Sequence, residues 1–160
     1  MRVRKAEAHE ADAVGELTLA AYRADGAIDP GSGYAGSLSD GARRHREAEL
    51  LVAVDGDELL GTVTLCQPGT AYAEIAQPDE LEFRMLAVAP AHRGRGVGET
   101  LLLAVLDRAA ELGKARVVMC TKESMTAAQR LYTRHGFTRL PTRDWHPVPG
   151  ILLLAYTRDL

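Results

Sequence analysis

The stretch from Leu81 to Thr121 constrains this chain more than any other. "LEFRMLAVAP" reads as a strand that Pro90 ends, and "VGETLLLAVLDRAAELG" follows as the clearest helix of the sequence. Leu101, Leu102, Val105, Ala109 and Leu112 give that helix one apolar face, and Gly113 is placed to stop it. "ARVVMCT" then runs as a continuous β-branched segment, the pattern of a strand covered on both faces. A strand, a crossover helix and a second strand must connect right-handedly, so the two strands are predicted to be parallel neighbours. Between the first strand and the helix lies "RGRGVG", three glycines at a junction that has to hold its shape.

The flanking segments build a sheet around that unit. "MRVRKA" is a short first strand, and "EADAVGELTLAAYRAD" a helix with Val14, Leu17, Ala21 and Ala24 as its stripe. "GAIDPGSGYAG" reads as loop, and a second helix covers "LSDGARRHREAE". "LLVAVDGDELLGTVTLC" is two strands joined at Asp55-Gly56-Asp57, a hairpin signal. Past the central unit, Ser124 is predicted to cap a helix over "MTAAQRLYTRH" that Gly136 ends. "FTRL" and "ILLLAYTRDL" complete the tail as strands around the Pro-rich "PTRDWHPVPG". The predicted order is β-α-α-β-β-β-α-β-α-β-β in one domain over residues 1–160. That is an α/β (α+β) fold: a mixed, mostly antiparallel sheet of about six to seven strands with a parallel β-α-β unit at its centre and about four helices.

Composition removes several function classes. A length of 160 residues suits one domain with a real core. A formal net charge of −3 argues against broad nucleic-acid affinity. No apolar run has the length of a membrane span and "MRVRKAEAHE" lacks the apolar core of a signal peptide, so the expectation is a cytoplasmic protein with no membrane partner. Five scattered histidines show no metal-ligand spacing, and no metal is expected. Cys66 and Cys120 read as small buried hydrophobes. With the third, fourth and fifth strands side by side they stand roughly 9–10 Å apart, beyond disulfide reach.

The glycine run can hold an anion. The first turn of a helix leaves backbone N–H groups unpartnered, and the peptide dipoles add partial positive charge there. Glycine permits positive φ and removes the Cβ that would keep a phosphate away. Arg93 and Arg95 add guanidinium forks that match phosphate oxygens. A Walker loop would need a lysine, absent from Gly98-Glu99-Thr100. In a dinucleotide fingerprint starting at Gly94 and Gly96, the last glycine position falls on Glu99.

"RGRGVG" supplies the R-x-x-G-x-G pattern of the GCN5-related N-acetyltransferases (GNAT family), on Arg93, Gly96 and Gly98. "LEFRMLAVAP" resembles that family's fourth strand. "MTAAQRLYTRHGF" resembles its second signature, a helix ending Leu-Tyr followed by Gly-Phe. The resemblance covers nearly the whole chain and matches the strand and helix order above. It implies a site for the cosubstrate acetyl-coenzyme A (acetyl-CoA), its pyrophosphate on the backbone of Arg93, Gly94, Arg95, Gly96, Val97 and Gly98. It also implies a bulge that splays the fourth strand from the fifth. The pantetheine arm would lie in that gap, paired with Leu86, Ala87 and Val88. The N–H of Leu86 would polarise the thioester carbonyl.

The chemistry implied is attack of a neutral amine on the thioester. An alkyl amine with a pKa of about 10.4 is almost wholly protonated at neutral pH, so a base must take its proton. Glu82 is the candidate, acting through water or after a rise in its pKa. Alternation also puts it on one face with Arg84, where the two would be an ordinary surface pair. Tyr132 is the candidate acid for the departing thiolate, and it also shares a helical stripe with Met125 and Ala128. Met125 stands where many family members carry an asparagine that contacts the cofactor. No cysteine falls at a position the motifs point to, so transfer is expected to be direct.

The expected partner is a small-molecule or peptide amine acceptor, with a homodimer left open. Glu74, Asp79 and Glu80 would suit a cationic amine, and Trp145 and His146 lie where the family often shapes its acceptor pocket. "RRHRE", Arg43 to Glu47, reads as a solvated helix face. Another acyl donor, an O-acceptor, or a non-catalytic acyl-CoA sensor would fit the same residues.

Overall fold

The computed structural model describes residues 1–28 and 33–160. In chain order the elements are β1 (Arg2–Lys5), α1 (Ala11–Ala24), α2 (Tyr34–Ser39), α3 (Gly41–Glu47), β2 (Glu49–Asp55) and β3 (Glu58–Cys66). There follow β4 (Glu80–Val88), α4 (Val97–Glu111), β5 (Arg116–Lys122), α5 (Thr126–Arg134), β6 (Thr138–Arg139), β7 (Trp145–Val148) and β8 (Ile151–Asp159). They form one sheet ordered β1-β2-β3-β4-β5-β8-β6, with β7 added against β8. β4 and β5 are its parallel pair, as the crossover rule requires, and the other described pairings are antiparallel.

The two faces of the sheet bury different cores. Leu81 and Phe83 of β4, Val63 of β3 and Val117 and Met119 of β5 pack with Leu101, Leu102 and Val105 of α4 and Tyr132 of α5. On the other face, Leu50, Val52 and Val54 pack with Val14 of α1, and Cys66 and Met85 pack with Leu38 of α2. At about 25 cal/mol per Å² of apolar surface, these faces are the main source of stability.

Among the described residues, eight strands and five α-helices exceed the expected counts. The extra strand is β7, which lies inside the expected Pro-rich loop. Pro147 is tolerated there because, among the described residues, β7 pairs with β8 alone and leaves one edge unpaired. The extra helix arises because the expected "LSDGARRHREAE" helix divides at Asp40, whose side chain accepts the Arg43 N–H at 3.0 Å and caps α3. The upstream piece, α2, also takes in Tyr34 to Gly36, which the sequence assigned to loop. Residues 29–32 of that loop lie outside the described residues.

Three finer expectations are corrected. The inward face of α1 is Ala11, Val14, Gly15, Thr18 and Ala21; Leu17 is half-buried and Ala24 exposed. The face is turned because α1 meets the α2–α3 junction backbone to backbone. A Cβ on Gly15 would stand 2.0 Å from the Ser39 carbonyl oxygen, and one on Gly41 2.0 Å from that of Ala11. Arg44 of "RRHRE" is fully buried, donating to Ser37 O at 2.6 Å and Thr18 Oγ1 at 3.3 Å. Ser124 does not cap α5, whose N-cap is Met125 with no side-chain bond.

Candidate active site

The site begins with a fault in β4. Thr64 faces Arg84 and Thr62 faces Ala87, so three steps on β4 match two on β3. Met85 is part of the bulge and takes φ 53°, a left-handed conformation costing about 1–2 kcal/mol for a residue with a side chain. The bulge resets the alternation. Leu81 and Phe83 face α4, Met85 turns to the α2 side, and Leu86 and Val88 face α4 again. On the other edge of β4, pairing with β5 runs from Glu80–Arg116 to Glu82–Val118 and then stops. The strands therefore part beyond Glu82, and a cavity of about 540 Å³ opens between them.

Leu86, Ala87 and Val88 form one wall of this cavity, and Gly94, Gly96, Val97 and Gly98 line its end. Gly94 and Gly96 each hold φ 78°, and Gly96 is the N-cap of α4. Gly98 has no such backbone need. A Cβ there would meet Leu131 and Val88 at 3.6 Å, ordinary contacts, so neither strain nor packing accounts for this glycine. The first-turn N–H groups of α4 have no partner within the helix, so the residues present fit a pyrophosphate. Glu99 shares that helix end, but its carboxylate is drawn to His135 Nε2 at 2.8 Å.

The two loop arginines differ. Arg93 lines the cavity and clasps α1, pairing with Asp25 and donating to Ala21 O at 3.1 Å. Arg95 does not line it; its guanidinium lies 2.7 Å from His92 Nδ1 and 3.9 Å from Asp55. Arg130 and Arg134 of α5 do face the cavity. The sequence reading passed over them, although their i, i+4 spacing puts both on one helix face.

Tyr132 is buried and lines the cavity. Its ring is held edge-on by Phe83 at 5.7 Å and packs with Phe137 at 5.9 Å. Burial alone raises its pKa well above that of an ordinary phenol. Glu82 is fully buried and is not part of the cavity lining. Its Oε1 accepts three consecutive backbone N–H groups, from Glu74 at 2.8 Å, Ile75 at 2.9 Å and Ala76 at 3.0 Å. Its Oε2 is buried with no hydrogen-bond partner among the described residues. Burial raises the Glu82 pKa, opposed by the three amides and by the Arg84 charge.

Of the acidic residues expected near the entrance, only Glu74 lines the cavity. Glu80 is fully buried in an ion pair with Arg143 at 2.5 Å and another with Arg116 at 3.3 Å, and Asp79 is exposed away from the lining. From β7 it is Pro147 and Val148, rather than Trp145 and His146, that reach the cavity. Met125 lines it with a thioether where the family often offers an amide. Cys120 lines it too, a position the sequence reading did not foresee. Its thiol is pushed up to about 12 by burial and is therefore neutral and weakly nucleophilic near pH 7.

Comparison with known proteins bears on the family and the fold. A family model described as the acetyltransferase (GNAT) family matches residues 13–137. A mycothiol acetyltransferase of Mycobacteroides abscessus is 32% identical over 125 residues, covering 78% of this chain and 38% of the relative. One of Geodermatophilus obscurus is 35% identical over 105 residues, 60% of this chain and 33% of the relative. The chain thus spans well under half the length of the curated relatives it matches. Among solved structures, the PaiA N-acetyltransferase of Thermoplasma acidophilum in complex with coenzyme A superposes with TM-score 0.75 at 14% identity, covering 99% of this chain and 98% of that one. YncA of Salmonella typhimurium, solved with its cofactor acetyl-CoA, gives TM-score 0.69 at 21% identity, covering 100% and 94%. At such identities these two establish the fold alone.

Proposed function

The chain belongs to the acetyltransferase (GNAT) family, and from that premise we propose that it transfers an acetyl group from acetyl-CoA directly to a primary amine. The observation that carries this reading is the parting of β4 from β5 beyond Glu82 and Val118, which opens toward the glycine turn and has Tyr132 in its wall. Bound there, acetyl-CoA supplies the electrophilic thioester carbon that the amine nitrogen attacks. The C–N bond forms and the C–S bond breaks.

The chain's own groups do the rest. The backbone N–H groups from Arg93 to Gly98 hold the pyrophosphate, while Leu86, Ala87 and Val88 offer a strand edge to the pantetheine arm. The N–H of Leu86 favours charge on the thioester oxygen. Glu82 takes the amine proton through water at Oε2, the oxygen its amide clamp leaves over. Its raised pKa makes it a better proton acceptor than an exposed glutamate. Tyr132 gives its phenolic proton to the departing thiolate. Cys120, neutral at working pH, does not relay the acetyl group.

The test is thiol release from acetyl-CoA across a panel of primary amines, with mass spectrometry of the amine. Amine-dependent release with a matching N-acetylated product is expected. Release with no amine product, or none from any primary amine, would overturn the proposal.

A further inference from the structure

The acceptor end of the cavity carries a charge arrangement that no motif announces. The segment after β3 brings Glu74 into the wall, and what fixes it there is Glu82. The three amides clamped on Glu82 Oε1 belong to Glu74, Ile75 and Ala76, so the carboxylate of β4 holds the backbone of the loop that presents Glu74. Arg84 meets the Glu74 carboxylate at 3.1 Å through Nε. Its other hydrogen bonds go into the wall, to Tyr72 O at 3.0 Å and Tyr34 Oη at 3.3 Å. One guanidinium therefore stands against two carboxylates, the fully buried Glu82 and the partly exposed Glu74, and this pair keeps an excess negative charge. Opposite, the β7–β8 hairpin contributes Val148, Ile151 and Leu153, and α1 contributes Tyr22.

We propose that Glu74 binds the ammonium group of the acceptor, that Glu82 positions Glu74 through its loop, and that the acceptor is a compact primary amine with an apolar body and no carboxylate beside the nitrogen. This rests on the acetyl-transfer function above. A cation here offsets the uncompensated carboxylate, whereas an anion would find Arg84 already engaged with Glu74, Tyr72 and Tyr34. The apolar body leaves water against the hairpin wall. Glu74 and Glu82 divide the work: one receives the charged acceptor, and the other takes its proton through water at Oε2.

The experiment uses the wild-type chain saturated with coenzyme A and three probes of similar body: 2-phenylethylamine, 2-phenylethanol and phenylalanine. The amine is expected to raise the melting temperature of the complex further, and the neutral alcohol and the amino acid to do so much less. Glu74→Gln should raise KM for 2-phenylethylamine by about tenfold to a hundredfold, the loss of one charged hydrogen bond, with a smaller change in kcat. Glu74→Asp, which keeps the charge, should recover part of that loss. Retention of the coenzyme A shift in each variant reports an intact fold. Equal stabilisation by alcohol and amine, an unchanged KM in Glu74→Gln, or no effect of the amine while coenzyme A still stabilises would overturn this assignment and leave acetyl transfer standing. Absence of the coenzyme A shift itself would overturn both.

Discussion

Tyr132 and Glu82 depend on the same effect used in opposite senses. Burial disfavours ionisation of each, which holds the phenol in its protonated form as a weaker acid and makes the carboxylate a stronger base. Tyr132→Phe keeps the ring contacts with Phe83 and Phe137, so the fold and the coenzyme A shift should survive while kcat falls by about 10²–10⁴-fold. Full activity in Tyr132→Phe across pH would remove the acid assignment. For Glu82 the sign follows from linkage. Its folded pKa is raised, so protonation favours the folded state. That contribution is complete below the unfolded value and is lost as pH rises through the folded one. Compared with Glu82→Gln, the wild type should therefore gain relative stability as pH is lowered from neutral toward the ordinary glutamate range. Melting curves of both proteins over that interval measure it, and a relative loss on acidification would contradict the burial account.

The elements around the site make sharper use of glycine than a tight turn requires. Gly96→Ala puts a side chain at φ 78° and should cost about 1–2 kcal/mol of stability, read by denaturant unfolding. Gly98→Ala meets only contacts at 3.6 Å inside a helix and should leave stability unchanged or raise it by up to about 1 kcal/mol. The same variant should weaken coenzyme A binding, and that combination separates clearance from packing. Gly61→Ala tests the packing case. Its Cβ would stand 2.7 Å from the Ala87 carbonyl oxygen and 2.9 Å from Val97, forcing β3 off β4 and α4 at about 1–3 kcal/mol.

The central strand–glycine–helix–strand unit was legible because periodicity, Pro90 and the glycines all agreed along one stretch of chain. The β4 bulge was expected only by resemblance, since "FRMLAV" has no glycine and Met85 is held left-handed by its surroundings. Arg44, β7 and the turned face of α1 were hidden for two reasons. Arg44 and the face of α1 are decided by partners far along the chain, Thr18 and the Gly41 backbone, whereas β7 was obscured by Pro147 although it pairs with the adjoining strand β8. In the site, Tyr132 and the glycines sit in motifs. Glu74 and Cys120 reach the cavity only through the loop clamp and the sheet order.

Across the whole molecule, the sheet opens between β4 and β5, with the glycine turn and α5 on one side and α1, Glu74 and Arg84 on the other. Arg93 joins the sides, since the turn that would hold phosphate is tied to Asp25 at the end of α1. Cofactor binding and the stability of the α1 layer should therefore be coupled. No helix among the described residues is long and apolar enough to cross a membrane. A ligand that binds only the folded state stabilises it by mass action, whatever the acceptor is. The direct measurement is thermal unfolding of the protein titrated with acetyl-CoA. The melting temperature should climb with concentration and saturate in the manner of one site, reaching about 2.7 kcal/mol of added stability at a hundredfold excess over the dissociation constant. A melting temperature that stays fixed at every acetyl-CoA concentration would contradict the assignment of the cavity.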